Sequence, residues 1–539
     1  MALRPRAVLI SIVLLPTLYG LAGAQSAGLD PAHELPYWMR GWSALHGAAD
    51  LPRRLPGAGA ATSSFLFDSP RLGSFWTAGN PGGLVDGVRD TRSDFIFAWS
   101  RQRGDYRRPL DPGAARLLQG QAQAWKGFSP TFSMLGRVVF DQERLDPGTR
   151  ADASAPYASS PFVTIDTSGT GFRRTRAVLE GAAGWKLGGW GLGVTVGFDA
   201  RDHTTILSGV VRRIRLATPG LLLGATRRMG GVEVGVQGRY RQKVEEIRVF
   251  QRSAATHVHQ LAGYREVEAI ATQPPYYRRR EENSSAFGVS LAGQLGKTTW
   301  TLLAEKTRLR EGLWRQQINE PARDRWDADG WKAGAGFQRP MGSRGLLTVH
   351  ASITSLTGEG DLSTDSAGVI FVAEESAWDV EAEFRLLPGD RGWAGTATLG
   401  IAHESRDRRD VGGNSPIGTS VSSFSPSLAV ELGRSVGERF FVAAGAALSF
   451  YGPTSALPDP NNRGPLYQTY PAPELDLSSS RATPVAFSLM LKYRTARSAT
   501  FWLSGRTERL SSTESVPISS FSPSGSRTAT SFSGGVILR

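Results

Sequence analysis

Residues 440–450 read Phe440-Phe441-Val442-Ala443-Ala444-Gly445-Ala446-Ala447-Leu448-Ser449-Phe450. On an extended chain Phe440, Val442, Ala444, Ala446, Leu448 and Phe450 share one face, and Phe441, Ala443, Gly445, Ala447 and Ser449 share the other. Successive side chains of a strand point to opposite faces, so a period of two is a strand signal. The pattern recurs. Val485, Phe487, Leu489, Leu491 and Tyr493 alternate with Ala486, Ser488, Met490, Lys492 and Arg494. Leu192, Val194, Val196 and Phe198 alternate with Gly193, Thr195, Gly197 and Asp199, and Val380, Ala382, Phe384 and Leu386 with Asp379, Glu381, Glu383 and Arg385.

Working outward from these segments, strands are expected near 93–104, 116–126, 131–142, 172–186, 190–203, 214–228, 232–246, 284–295, 298–311, 328–339, 345–356, 377–387, 393–405, 424–434, 439–451, 483–493, 499–510 and 528–538. That makes about 18 strands, or about 16 if one hairpin is miscounted, each long enough to cross a bilayer at a tilt. Tight connections at 127–130, 187–189, 229–231, 296–297, 340–344, 388–392, 435–438 and 494–498 alternate with longer ones. The longest expected loops are 143–171, 247–283, 312–327, 357–376, 406–423, 452–482 and 511–527. Outer-membrane barrels have short periplasmic turns and long extracellular loops. The expected fold is therefore all-β: a closed antiparallel transmembrane β-barrel spanning residues 93–539, with both termini in the periplasm.

Charge segregation agrees with that fold. Gln119, Gln121, Gln123, Arg137, Glu180, Glu233, Gln237, Arg239, Lys332, Glu381, Glu383, Glu431 and Arg506 all fall on the side of their strands opposite the apolar side chains. A charge facing lipid at mid-depth costs about 2–4 kcal/mol, so these residues are expected to line the lumen. A closed sheet also satisfies every backbone hydrogen bond, which lipid cannot do.

Residues 1–24 read as a secretory signal peptide. Arg4 and Arg6 precede the apolar stretch 7–21, and Ala22-Gly23-Ala24 forms a small-x-small cleavage site. The chain has 63 glycines and no cysteine, so thiolate metal sites and cysteine nucleophiles are excluded. After the signal no apolar run is long enough for a membrane helix. The net charge of +13 is spread along the chain rather than gathered in a nucleic-acid-binding block. The residues point to no cofactor or metal. The expected partners are outer-membrane lipid, lipopolysaccharide and the barrel-assembly machinery, with no nucleic acid.

Residues 25–92 precede the first strand. Tyr37, Trp38, Trp42, Phe65, Phe67, Phe75 and Trp76 argue against pure disorder there and favour a plug or packed periplasmic segment. Near its end stands Phe75-Trp76-Thr77-Ala78-Gly79-Asn80-Pro81-Gly82-Gly83-Leu84. This resembles the Asn-Pro-Ala/Gly-Gly-Leu segment before the first strand of long-chain fatty-acid transporter-like barrels. The resemblance implies that Asn80, Pro81, Gly82, Gly83 and Leu84 belong to an N-terminal hatch. Read from its residues alone, the same stretch is an Asn-Pro-Gly-Gly turn. More broadly, the chain is similar to large uncharacterised outer-membrane barrel families, which implies topology.

Candidate chemistry is sparse. Asp202-His203 and His403-Glu404 stand near the outer ends of strands, but sequence neighbours alternate faces, so each pair is expected to be split across the wall. His257-Val258-His259 has no evident third metal ligand. Pro274-Pro275-Tyr276-Tyr277-Arg278-Arg279-Arg280 reads as a charged extracellular loop able to meet sugar or acidic lipopolysaccharide headgroups. Three functions remain. The first is a channel or diffusion porin for small solutes. The second is a structural or docking barrel that anchors an extracellular or periplasmic partner. A rim-located hydrolase ranks last.

Overall fold

A computed structural model describes residues 80–87, 91–104, 113–151, 162–205, 210–251, 258–262, 265–270, 276–315, 324–362, 369–386, 392–411, 417–437, 439–458, 481–495, 499–514 and 525–538. The signal peptide, the aromatic residues up to Trp76, and His257 lie outside them.

Nearly all the described residues belong to one antiparallel sheet. Its first strands are β1 (Arg92–Gly104), β2 (Ala114–Ser129), β3 (Phe132–Ala151), β4 (Phe162–Leu187), β5 (Trp190–Thr205), β6 (Val210–Met229) and β7 (Val232–Gln251). A short hairpin, β8 (Val258–Ala262) and β9 (Arg265–Ile270), follows. Next come β10 (Tyr276–Leu295), β11 (Thr298–Arg315), β12 (Asp324–Met341), β13 (Gly345–Leu362), β14 (Val369–Leu386), β15 (Trp393–Asp410) and β16 (Ile417–Val436). The last are β17 (Phe440–Ser449), β18 (Gly452–Pro458), β19 (Arg481–Arg494), β20 (Ala499–Glu514) and β21 (Ser526–Leu538).

Eighteen of these strands form a wall in which each pairs with its neighbour in sequence, β10 following β7 and β19 following β17. β21 pairs back on β1, from Ser93 opposite Leu538 to Gly104 opposite Arg527, and this closes the cylinder. β18 continues the line of β17 along β16, and the β8–β9 hairpin extends the upper end of β4. No strand edge is left in the wall, as a lipid environment requires.

The rim where β1 begins and β21 ends carries the tight turns. Gly188, Gly230 and Gly296 each open a two-residue turn at φ near +60°. Two-residue hairpin loops of this kind need a left-handed residue at the first position, which glycine supplies without strain. The opposite rim carries the longer connections.

The wall is inside out relative to a water-soluble protein. Phe487, Leu503, Leu399, Phe287 and Val196 are exposed on the outward face, while Asp94, Asp141, Glu245, Glu311 and Arg241 are buried on the inward one. So extensive an exposed apolar surface is stable only against lipid. Tilted or stacked aromatics gather at the tight-turn rim: Phe132 with Trp185 at 5.7 Å and Phe440 with Tyr493 at 4.8 Å. Arg227 lies over Trp190, and Arg434 over Trp393. Such rings mark the membrane–water interface.

The strands are longer than their apolar alternation predicts. β4 has 26 residues where 172–186 was expected, and β14 begins at Val369 rather than 377. β7 runs to Gln251 and β10 starts at Tyr276, so Tyr276–Arg280, expected in a loop, are strand residues. The reason is physical. About 9–11 residues cross the hydrocarbon, and beyond it both faces meet water. Charged residues then occupy both faces, as in Arg278–Glu282 and Glu404–Asp410, and the alternation vanishes although the ladder continues. With the strands lengthened, the connections shrink. On the long-loop side 363–368 and 411–416 join their strands, against 387–392 on the other side, so the contrast between the rims is narrower than expected.

Candidate functional site: the lumen and the segment docked in it

The structure places Gln119, Gln121 and Gln123 (β2), Arg137 (β3), Glu180 (β4), and Glu233, Gln237 and Arg239 (β7) on the inward face. Lys332 (β12), Glu381 and Glu383 (β14), Glu431 (β16) and Arg506 (β20) share it. It brings them together in local groups, mostly with partners of opposite charge. Arg137 meets Glu180 at 3.2 Å, and Arg385 meets Glu383 at 2.9 Å. Arg506 meets Glu508 at 3.1 Å, and Arg239 pairs with Glu305. Gln123 donates to Asp94 at 2.9 Å and accepts from Gln121 at 3.2 Å.

Several inward residues were not singled out from the sequence. Arg176 bridges Asp141 and Asp199, with Arg201 also on Asp199 at 2.9 Å. Further toward the long-loop rim, Arg280 meets Glu311 at 2.5 Å, and Glu375 accepts from Arg408 at 2.6 Å. Acids and bases thus alternate around the lumen and build no field of a single sign.

At the tight-turn end a short segment lies on the inner wall. Asn80 leads into a single 3-10 turn, Pro81–Gly83, followed by the helical turn α1 (Leu84–Gly87). Asn80 is fully buried, and every polar atom of its side chain is used. Its Oδ1 accepts from Gly82 N at 2.9 Å, which caps the turn. Its Nδ2 donates to the carbonyls of Ala225 and Val236 at 3.1 and 2.9 Å, on β6 and β7. Pro81 takes the first position of the turn, where its missing N–H costs nothing.

The wall beneath is made of glycine. Gly184 (β4), Gly191 and Gly193 (β5), Gly224 (β6) and Gly235 (β7) all face inward here. A Cβ on Gly193 would collide with Pro81 O, one on Gly191 with Gly82 O, and one on Gly224 with Asn80 Oδ1. A Cβ on Gly184 would stand 2.8 Å from Leu84 Cβ. Backbone therefore lies directly on backbone over β5 and against Ala225 of β6, while Gly224 and Gly235 leave room for the Asn80 side chain. Leu84 and Val85 are buried beside β4, and Asp86 meets Lys186 at 2.9 Å next to the Gly188 turn. Asn80, Pro81, Gly82, Gly83 and Leu84 are thus both a turn, as their residues indicate, and a strap across the inner wall.

The long-loop end is also narrowed. Phe162, at the tip of β4, packs among Leu313, Trp326, Ala328, Phe371 and Ala373, which belong to β11, β12 and β14. Trp326 and Phe371 lie 5.8 Å apart. This apolar cluster crosses the mouth from strands that are not neighbours.

The histidine pairs are divided. His203 is buried on the inward face, whereas Asp202 points outward and accepts from Arg213 at 3.0 Å. His403 stacks on Trp378 at 5.7 Å on the outward face, and Glu404, inward, pairs with Arg406 at 2.5 Å. Among the described residues no group of three or more His, Cys, Asp or Glu is placed to hold a metal ion.

A closed, lipid-facing wall with a polar interior and a strap in its mouth defines an outer-membrane β-barrel. Residues 83–538 match a family described as a family of unknown function (DUF6850), and the chain belongs to it. No curated protein sequence matches the chain. Among solved structures it is similar to the ferric citrate transporter FecA in its unliganded form, at 9% identity over 84% of this chain and 79% of that one, with a TM-score of 0.42. It is similar to the copper transporter OprC at 10% identity over 83% and 81%, with a TM-score of 0.37. It is also similar to a FadL homologue of Pseudomonas aeruginosa at 9% identity over 89% and 96%, with a TM-score of 0.33.

Proposed function

We propose that the barrel is a passage for small polar solutes across the outer membrane, with its long-loop rim outside and both termini in the periplasm. The observation that carries this reading is the lumen lining. Hydrophilic side chains follow one another inward on β2 (Gln119, Gln121, Gln123), β7 (Gln237, Arg239, Arg241, Lys243, Glu245) and β14 (Asp379, Glu381, Glu383, Arg385). They do so again on β16 (Ser423, Ser425, Ser427) and β20 (Ser504, Arg506, Glu508), and on β3, β4 and β12 charged residues are interleaved with apolar ones. A structural barrel has no need to bury so many charges. Each one costs desolvation unless it is paired or wet. The strap at one end and the Phe162 cluster at the other narrow the passage and favour small solutes.

Reconstitution of the purified chain in a planar bilayer tests this. Stepwise ion conductance is expected. An intact, heat-modifiable barrel that stays electrically silent, including when its strap is loosened by Asn80→Ala, would leave the docking barrel as the better reading.

A further inference from the structure

We propose that the outward face of β1–β4, just past the apolar band on the long-loop side, binds the phosphates of a phosphorylated glycolipid of the outer leaflet. Arg101, Arg116, Arg144 and Arg173 are all exposed on this face. The strand register sets them side by side: Arg101 opposite Arg116, Arg116 opposite Arg144, and Arg144 opposite Arg173. Directly opposed residues have their Cβ atoms about 4.5–5.5 Å apart, and like charges so placed are destabilising. Arg103 adds a fifth guanidinium two residues further along β1. Among the described residues of these four strands, the acid on the same face is Asp146, beyond Arg144 and away from the apolar band.

Elsewhere the outward face sets opposite charges together. Arg215 stands opposite Glu246, Glu246 opposite Arg279, and Arg308 opposite Asp329. Arg310 and Asp327 form an ion pair at 3.3 Å. Where like charges do face each other, a counter-charge stands beside them. Arg213, opposite Arg248, pairs with Asp202, and Arg248 meets Glu246 at 3.5 Å. Asp407, opposite Glu374, pairs with Arg409, and Asp327, opposite Glu359, pairs with Arg310. The arginine row is therefore a local departure whose repulsion a bound anion removes. Guanidinium groups suit phosphate, which they engage with two parallel hydrogen bonds.

Height selects the source of that phosphate. Trp99, Leu118, Phe140 and Ala177 top the apolar outward run on the same four strands, two to four residues below the row. An anion held by the row stands at headgroup level, with exposed Phe97, Val138 and Leu179 beneath it for acyl chains. Inorganic phosphate gains nothing from that apolar surface, whereas a lipid engages both. Assignment to the outer leaflet rests on the orientation given under the proposed function.

The test uses the full chain in bilayers of phosphatidylethanolamine containing lipid A or its dephosphorylated form. Native mass spectrometry reads the lipid retained, and heat-modifiable migration reads barrel stability. The parent is expected to retain the phosphorylated lipid and to melt higher in its presence. Arg116→Gln with Arg144→Gln should weaken retention by about tenfold or more, since several charge-assisted hydrogen bonds are lost. Arg116→Lys with Arg144→Lys should keep part of it. In lipid-free detergent the glutamine double variant should be at least as stable as the parent, because repulsion is relieved, which separates lost binding from misfolding. Arg308→Gln with Arg310→Gln should behave as the parent. Equal retention by the glutamine variant, or equal retention of the dephosphorylated lipid, would overturn the proposal. The chain has no cysteine, so Ala114→Cys labelled on whole cells by an impermeant maleimide reports orientation separately. Absence of label there would overturn the orientation and, with it, the leaflet assignment. Label without lipid retention would overturn the phosphate site alone.

Discussion

Asn80 shows how much one side chain holds at the strap. An asparagine has one acceptor and two donors to use, and here the acceptor caps the turn while the amide nitrogen reaches two wall carbonyls. Aspartate keeps the cap and loses both donors. Alanine loses all three bonds, each worth about 0.5–1.5 kcal/mol net. Asn80→Asp and Asn80→Ala are therefore both expected to release the strap. Asp adds the penalty of an anion set against carbonyl oxygens. Limited proteolysis between residues 80 and 92 should turn from slow to fast in both variants, while the barrel keeps its heat-modifiable migration. Equal protection in parent and variants would show that the glycine bed alone holds the segment.

At the scale of elements, that bed is the part least readable from sequence. The alternation on β17 and β19 gives those strands directly, because one face meets lipid and the other water. Gly193 and Gly224 look like ordinary small residues in such strands. Their meaning lies in what they touch, a segment far away in sequence that presses its backbone onto Gly193 and its Asn80 and Pro81 side chains onto Gly224. The readable clue was negative: glycine at inward positions where polar side chains are otherwise the rule. The strand extensions past the bilayer were hidden for a related reason, since two polar faces leave no period to detect. The Asn-Pro-Gly-Gly-Leu stretch was legible as a turn, and its resemblance to a hatch pointed into the barrel. Gly193→Ala and Gly224→Ala should each expel the strap, with the same protease sensitivity as Asn80→Ala. Gly181→Ala and Gly238→Ala, whose added Cβ meets nothing within 4 Å, should leave it protected. Comparable sensitivity in all four would mean that the strap is held elsewhere.

The whole molecule sets its own ion preference through the sum of its lining. The chain is strongly basic, yet the bases that face the lumen sit against acids, as Arg176 does against Asp141 and Asp199. Much of the excess positive charge stands on the outward face beyond the lipid, the arginine row included. Screening in 0.1 M salt has a length of about 10 Å, so charge outside the wall does little to ions within it. If the barrel conducts, its cation-to-anion permeability ratio should lie near unity, despite the net charge of +13. On the inward side of β14, Glu383 accepts from Arg385 at 2.9 Å. Glu383→Gln should tilt the lumen toward anions, moving the reversal potential in a salt gradient by several millivolts in that direction, because the removed charge leaves the Arg385 guanidinium less opposed. The replacement of Arg116 and Arg144 should not move it. A reversal potential that follows the outward arginines rather than the inward glutamate would place the ion path outside the cylinder, and the lumen would then have no part in conduction.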